Sequence, residues 1–505
     1  MPDEAMKLFG SLKGSLWHRW DLHVHTRLDH HYTNLDFASL KAEDVDKLIA
    51  ATGLTREQIA TKERAISDQE YARLFVAHAV LLANVEAVAV TNHNAGEDLD
   101  SLIAAAKASG KLVVIPGVEL TSTHGIHMLC LFDPQKPWHA SWAETIGHFL
   151  TEVEVPADRF DAGGRPQPSA KTCQDILGIA EQRGGICIFA HIETPNGLFH
   201  HSAVANGGAA HAAIYNHRLC SIVQLPRTAP LSVGVRKIVD GGDPNYGKKR
   251  VTQVKASDAR RLSEVGTAAT WIKADLTFSG LKQIIYEPTE RVSLEPARPS
   301  GKKPYFVIDR VRFIDNTGQA RFPSDYIEVN PDLTAIIGGK STGKSILLYY
   351  MAKSIDPEEV ARRTEEMNTD YDFDRNPAFD FEVVWGDGQT STLKKLVGPG
   401  SAPAASRKIL YVPQTYLNKL SEKNIKGREA LNDFVLHVLM QDASARATYE
   451  AHVENIALLS KRIPSLLEDL FLLRSDAARL EESLRQIGDP KGIQTFVAKM
   501  REEIE

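Results

Sequence analysis

The sequence has no excess of positive charge: 59 lysines and arginines stand against 65 aspartates and glutamates, a formal net charge of -6. A global basic field announcing nucleic acid is thereby excluded, although a local patch is not. Cysteine is scarce. The four present, Cys130, Cys173, Cys187 and Cys220, form no CxxC pair, which excludes a disulfide framework and predicts buried thiols in a reducing cytoplasm. Long apolar runs are missing too. No stretch is long enough to cross a bilayer, and Met1 to Trp20 lacks the apolar centre of a signal peptide. These absences predict a soluble cytoplasmic protein with no membrane partner. At 505 residues the chain exceeds one ordinary core and should hold two or three domains.

What the chain does have is histidine at recurring positions. In Trp20-Asp21-Leu22-His23-Val24-His25-Thr26 two imidazoles lie one residue apart on an alternating run. On a strand, residues i and i+2 share a face, so His23 and His25 should project together while Leu22 and Val24 enter the apolar interior. A polar, helix-prone insertion follows over about 28–70, carrying the pair His30-His31, and then a helix over 71–84. The buried strand 85–90 ends in Thr91-Asn92-His93-Asn94. The arrangement then repeats. A strand over 112–115 leads to Pro116-Gly117-Val118-Glu119, His127 lies inside the apolar run 126–132, the run 186–190 ends at His191, and 251–256 leads to Ser257-Asp258-Ala259-Arg260.

Strand-to-loop junctions of this kind are the active end of α/β barrels. A hydrolytic metal centre needs imidazole and carboxylate ligands from separate strands, because no single segment can surround a cation. A carboxylate such as Glu119 can bridge two ions about 3.5 to 4 Å apart. Taken singly, each residue is equally a satisfied core histidine or a capped carboxylate. It is their repetition after Asp-x-His-x-His that points to metal.

Asp21-Leu22-His23-Val24-His25-Thr26, Thr91-Asn92-His93-Asn94, Pro116-Gly117-Val118-Glu119, His127, Ala190-His191 and Ser257-Asp258 resemble the successive motifs of the PHP (polymerase and histidinol phosphatase) metal-dependent phosphoesterases. The resemblance implies a distorted barrel of seven β/α units with a bi- or trinuclear site at the C-terminal strand ends. It implies that His23, His25, Glu119 and Asp258 hold one metal, manganese or zinc, that Glu119, His127 and His191 hold a second, and that a metal-bound hydroxide is the nucleophile. Two positions depart from the family pattern: Asn92 stands where Asp is usual, and Arg260 where a third-metal His often lies. His31 and His93 remain to ligate a third ion, but a guanidinium offers only donors. The expectation is a binuclear centre in which Arg260 occupies the third-metal region and grips substrate phosphate.

Between His191 and Asp258 runs a loop-rich tract whose Lys248-Lys249-Arg250 cluster is either a solvated charge run or a phosphate-backbone contact. This first domain spans 1–290, and the Pro-, Gly- and Lys-containing stretch 291–304 reads as a linker. Over 305–444 the segments 306–313 and 326–329 read as strands. Leu333 to Ile337, also strand-like, runs into Gly338-Gly339-Lys340-Ser341-Thr342-Gly343-Lys344-Ser345 and a helix over 346–354. This GxxxxGK[ST] loop predicts ATP binding: backbone amides wrap the phosphates, Lys344 reaches the terminal ones and Ser345 ligates Mg2+. Ile409 to Tyr416 reads as a strand ending in glutamine, Gln414, and resembles the Q-loop of SMC- and Rad50-like ABC ATPases.

Over 445–505, Ile456, Leu459, Ile463, Leu466, Leu470, Leu473, Ala477, Leu480, Leu484 and Ile487 form a heptad seam that calls for an antiparallel helical partner. Pro464 should bend the helix, and Gly488-Asp489-Pro490 should interrupt it. No Walker B run and no LSGG-like signature follows the Q-loop, which predicts the N-terminal portion of a longer or split protein, with nucleotide binding but little turnover. The expected fold class is α/β: a PHP-type (β/α)7 barrel, a partial P-loop head of ABC/SMC type and a coiled-coil arm. That order is similar to the TrlF-like proteins. It implies an ATP-regulated, metal-dependent nuclease acting on DNA or RNA, with a homodimeric or missing C-terminal ATPase half as partner. The rival readings are a phosphatase for a small phosphorylated metabolite or nucleotide, and a non-catalytic assembly module with a structural metal site.

Overall fold

The structure, a computed structural model, describes residues 13–33, 40–60, 66–200, 208–299, 301–315, 318, 324–367, 379–393, 407–420, 425–440, 443–488 and 490–504. The chain divides into two compact units, one of residues 1–344 with 376–404 and one of 345–375 with 405–505.

The first unit is built on a nine-stranded, barrel-like mixed sheet. Its strands are β1 (Trp17–Val24), β2 (Ala87–Val90), β3 (Val113–Thr121), β4 (His127–Leu131), β5 (Ile186–Phe189), β6 (Ile222–Gln224), β7 (Thr252–Val254), β8 (Thr270–Lys273) and β9 (Val292–Ser293), in the order β7-β6-β5-β4-β3-β2-β1-β8-β9. Strands β1, β2 and β3 pair in parallel, as do β5, β6 and β7, whereas β4 runs antiparallel between β3 and β5. His127 therefore opens a hairpin strand rather than closing a β/α unit. The end of the edge strand β7 approaches β8 where Lys255 N–H donates to Thr270 Oγ1 at 2.8 Å and that hydroxyl donates to the Lys255 carbonyl at 2.7 Å.

Alternation along the strands sorts the apolar residues into two layers. Trp20, Leu22, Ala87, Ile115, Leu129 and Ile188 fill the inside, closed by Phe278, Leu281 and Ile284. Val88, Val114, Val118, Met128 and Phe189 face the surrounding helices. Fully burying each such side chain contributes about 1.5–3 kcal/mol. Leu22 and Val24 fall in different layers, against the expectation that they share one. A register shift between Asp21 and Val24 in the β1–β2 ladder breaks the period of two.

Helices Ala42–Thr52 and Arg56–Ala60 lie in the insertion, and the next helix, Asp68–Leu81, starts at a capping box in which Ser67 and Glu70 satisfy each other's backbone N–H groups. His78 in that helix is 3% exposed and its Nδ1 has no hydrogen-bond partner. Burial lowers its imidazole to about 4 from an ordinary 6.5. Below pH 6.5 the unfolded chain takes up a proton that the folded chain refuses, so stability falls as the pH drops from 6.5 towards 4. The expected loss is about 2 kcal/mol between pH 7.5 and pH 5. Urea unfolding at the two pH values should show it, and His78→Leu should remove that component.

The first unit also carries a four-stranded antiparallel sheet, β11-β10-β12-β13, from β10 (Ile308–Asp315), β11 (Ile327–Glu328), β12 (Phe379–Trp385) and β13 (Thr390–Leu393). Two expected strands are absent from the described residues. Residues 333–337 have no regular structure, with Leu333 81% and Ile337 90% exposed, and 407–413 has none before a helix begins at Gln414. β-propensity alone does not hold a strand that has no ladder neighbour. No described strand precedes the stretch 338–345: Lys344 Nζ folds back to donate to the carbonyls of Gly338 (2.8 Å) and Gly339 (2.5 Å), and Ser345 follows in the helix Lys344–Ile355.

The second unit is helical in its described residues. Arg363, 3% exposed, donates to Glu359 at 3.0 Å and its guanidinium stacks 4.4 Å from the Tyr416 ring. Helix Ala443–Gly488 runs through Pro464 without a break, and a new helix starts at Pro490. At 46 residues it is roughly 70 Å long. Its seam lies in solvent, with Ile456 63%, Leu473 67% and Leu484 68% exposed. No helix among the described residues is long and apolar enough to cross a membrane.

Candidate metal centre

Glu119, near the end of β3, is 1% exposed and ringed by five imidazoles. Its Oε2 lies 2.8 Å from His23 Nε2, 3.3 Å from His25 Nε2 and 3.3 Å from His93 Nε2. Its Oε1 lies 2.7 Å from His127 Nδ1 and 3.7 Å from His191 Nε2. Asp258 Oδ1 completes the group, 3.1 Å from His25 Nε2 and 3.6 Å from His23 Nε2. The side chains are delivered by β1, by the loops after β2, β5 and β7, by β3 and by the first residue of β4. Two backbone bridges tie these segments together at the active end, Val24 with Ala259 and His93 with Glu119.

All six residues expected as ligands of two metals thus meet, and His93 joins them. Three sets of three have ligand atoms all within 4.8 Å of one another: His23, His25 and Asp258; His93, Glu119 and His127; and His25, Asp29 and His93. His191 stands slightly back from the second set. His31 and Arg260 line the same pocket. The Arg260 guanidinium lies 3.3 Å from Asp258 Oδ2 and its carbonyl accepts from Thr33 N–H at 2.7 Å.

The electrostatics follow from burial and crowding. Burial alone would raise the Glu119 carboxyl, but the imidazoles of His93, His23 and His127 outweigh it and hold the group well below the usual carboxylate range. Burial would likewise lower His25, yet Asp258, Asp29 and Glu119 hold it well above its ordinary value. His23 is also raised, with burial opposed by Glu119 and Asp258. His93 is lowered, burial prevailing over Glu119 and Asp29.

The donor set fits a divalent metal. His23 and His25 point nitrogens at each other across 3.1 Å, so at most one proton fits between them. Glu119 Oε1 and the Nδ1 atoms of His127 and His191 are buried without an aligned hydrogen-bond partner. Lone pairs facing lone pairs in a buried site need cations or protons between them. Mixed imidazole and carboxylate donors suit zinc or manganese, and loading such a site displaces protons from its histidines.

Backbone strain marks the same place. His191 (φ 29°) and Asp258 (φ 49°) are non-glycine residues with positive φ, a conformation that costs about 1–3 kcal/mol and persists where the surroundings dictate it.

Two residues escaped sequence reasoning. Gln224, 1% exposed at the end of β6, sets its Oε1 2.8 Å from His23 Nδ1. Accepting the Nδ1 proton leaves His23 Nε2 as a lone pair facing Glu119. Gln224→Leu should weaken zinc binding by about 10–100-fold, measurable by competition with a chelator. The signal was a polar residue ending a short apolar run, in a strand of only three residues. The other is Asp29, in the turn after β1, buried behind His25 and His93. Asn92 is not part of the centre. Its Oδ1 accepts from Thr26 N–H at 2.7 Å, and its amide nitrogen donates to Thr26 Oγ1 at 2.8 Å and to Asp98 at 3.3 Å, which bolts the β2 loop to β1.

No protein-family model and no curated protein matches this chain. Among solved structures it is similar to the lesion-specific endonuclease Q of Pyrococcus furiosus, at 11% identity over 70% of this chain and 84% of that one, with a TM-score of 0.34. A protein from Bifidobacterium adolescentis described as a metal-dependent phosphoesterase is similar at 13% identity over 53% of this chain and 95% of that one, TM-score 0.31. A two-domain protein from Bacteroides vulgatus, assigned a PHP-like metal-dependent phosphoesterase domain, is similar at 13% identity over 55% of this chain and 64% of that one, TM-score 0.29.

Proposed function

We propose that the chain is a metal-dependent phosphodiester hydrolase of PHP type acting on nucleic acid, with an ATP-binding head that regulates it. The observation that carries this reading is the buried carboxylate of Glu119 shared among five imidazoles, beside Asp258, at the floor of an open pocket. His23, His25, Glu119 and Asp258 would hold one divalent ion, and Glu119, His127 and His191, with His93 close by, a second. Bound there, the ions supply Lewis-acid activation of water and of a phosphoryl oxygen.

The chain's own groups favour an anionic substrate. The pocket, of about 570 Å³, is lined by Arg227, Arg260 and Arg261 as well as by the histidines. Arg260 is 44% exposed while staying 3.3 Å from Asp258, so its guanidinium can leave the carboxylate for a phosphate oxygen. Arg227 donates to the Ser257 carbonyl at 3.4 Å. Guanidiniums bind phosphate through paired N–H groups, and three around one opening suit a polyanion better than an isolated ester. Arg260 in the third-metal region also supports two ions rather than three.

The phosphate loop 338–345 supports ATP with Mg2+ as the regulator, and Gln414 would sense it. The solvent-facing seam of helix Ala443–Gly488 supports a helical partner, from a second copy or a complementary ATPase half. Incubating the full chain with Mn2+ and separate DNA, RNA and p-nitrophenyl phosphate substrates tests the reading. Cleavage of an oligonucleotide is expected, and its rate should change when ATP is added. Hydrolysis of the small ester alone would favour the phosphatase, and no hydrolysis with metal bound would favour a structural centre.

A further inference from the structure

We infer that Asp29 is the positioning residue of the centre: one carboxylate oxygen clamps His25 and His93 by their Nδ1 edges and so aims both Nε2 lone pairs at the metals. The inference rests on the reading that these histidines face metal.

Three features of the geometry carry it. Asp29 Oδ2 lies 2.9 Å from His93 Nδ1 and 3.2 Å from His25 Nδ1, the second contact bent away from ideal alignment. The two rings it grips are nearly parallel, with centroids 4.9 Å apart and planes inclined by 11°. Their far nitrogens then reach the same oxygen at the same range, His25 Nε2 and His93 Nε2 each lying 3.3 Å from Glu119 Oε2. A single acceptor behind two stacked imidazoles thus sets two donor atoms level in front.

The position of Asp29 is itself over-determined. Its Oδ2 also accepts the His93 backbone N–H at 2.8 Å, and its Oδ1 accepts the His31 backbone N–H at 2.9 Å while lying 3.3 Å from His30 Nδ1. Its own N–H donates to the Thr26 carbonyl at 2.9 Å. Five nitrogens, two of them backbone amides fixed by the fold, lie within 3.3 Å of two buried oxygens. A carboxylate has about four lone-pair sites, so Asp29 has little capacity left to be a ligand, although it lies among ligating types. A neutral imidazole that donates Nδ1–H must carry its lone pair on Nε2. Holding the tautomer and ring orientation from behind typically changes metal affinity by about 10–100-fold.

The full-length protein labelled with 15N-histidine, stripped of metal, provides the first test. At a pH high enough for both rings to be neutral, two-bond nitrogen–proton spectra should show His25 and His93, assigned by single substitution, protonated on Nδ1 with Nε2 bare. Finding Nε2–H in both overturns the inference, and the measurement stands whether or not any substrate is ever cleaved. The second test is Zn2+ binding to Asp29→Asn, with chelator competition for affinity and mass spectrometry for stoichiometry. The expected result is an unchanged number of ions held about 10–100-fold more weakly, with mixed tautomers at both rings. Loss of one whole equivalent with the rest unaltered would make Asp29 a ligand, and unaltered affinity would make it structural; either sinks the inference. If Asp29→Asn does not fold, the tautomers of the parent chain decide. Failure of the parent to bind Zn2+ at all would instead count against the hydrolase reading, leaving the Asp29 clamp to be judged on its tautomers.

Discussion

Glu119→Gln should abolish the centre. The amide keeps the shape of the side chain but brings an NH2 group and no charge to a point where five imidazole nitrogens lie within 3.7 Å. The ligand that the two proposed ions would share is lost, and the excess positive charge of the remaining group opposes cation binding. Lewis-acid stabilisation by bound metal is worth several kcal/mol, and each 1.36 kcal/mol is about tenfold in rate. The expected fall in Mn2+-dependent hydrolysis is therefore on the order of 10³-fold, with fewer ions per chain by mass spectrometry. Full metal content with near-parental turnover would remove Glu119 from the mechanism.

Gly197→Ala should be nearly as damaging for a different reason. A methyl group at Gly197 would lie 2.4 Å from the His191 carbonyl oxygen and 2.6 to 2.7 Å from the Ile192 carbonyl carbon and oxygen, all backbone and unable to rotate away. The turn it closes runs from His191 to Gly197, with Thr194 N–H donating to the His191 carbonyl and Gly197 N–H to that of Thr194. The same turn supports β4, since Asn196 offers its carbonyl to His127 N–H at 2.8 Å and its amide lies 3.0 Å from His127 Nε2. Both histidines of the proposed second metal would shift together. Overpacking of this kind costs about 1–3 kcal/mol, and a displacement near 1 Å at a reacting centre costs about 10²-fold in rate. Gly280→Ala is the control: its new methyl would meet the Asp275 carbonyl at 2.2 Å, below the barrel and away from the histidines. It should lower the unfolding midpoint while leaving zinc affinity unchanged. Equal loss of zinc affinity in both variants would mean that Gly197 acts only through stability.

The site was legible in the sequence because parallel strands buried on both faces read as apolar runs, and the residue that ends each run enters the pocket by topology. His23, Glu119, His191 and Asp258 declared themselves in this way. Asp29 did not, because it lies in a turn with no periodicity, and its role exists only when His25 and His93 from two segments are brought against it. Gln224 was hidden by the brevity of β6. The left-handed backbone of His191 and Asp258 has no sequence signature, since neither is glycine. The fold was overread where propensity lacked a neighbour: residues 333–337 and 409–416 read as strands, yet no described strand pairs with them and a helix begins at Gln414. It was misread in detail at Val24, where a shift in register moved one side chain to the other face. Asn92, a departure from the family pattern at sequence level, is explained by its bonds to Thr26 and Asp98.

The central claim is that Glu119 joins two cations at the barrel's active end. Crystals of the full chain grown with Mn2+, measured at the manganese absorption edge, test it most directly. The account predicts two anomalous peaks flanking the Glu119 carboxylate, one on the side of His23, His25 and Asp258 and the other on the side of His127 and His191. Strong peaks elsewhere, with none against Glu119, would contradict it.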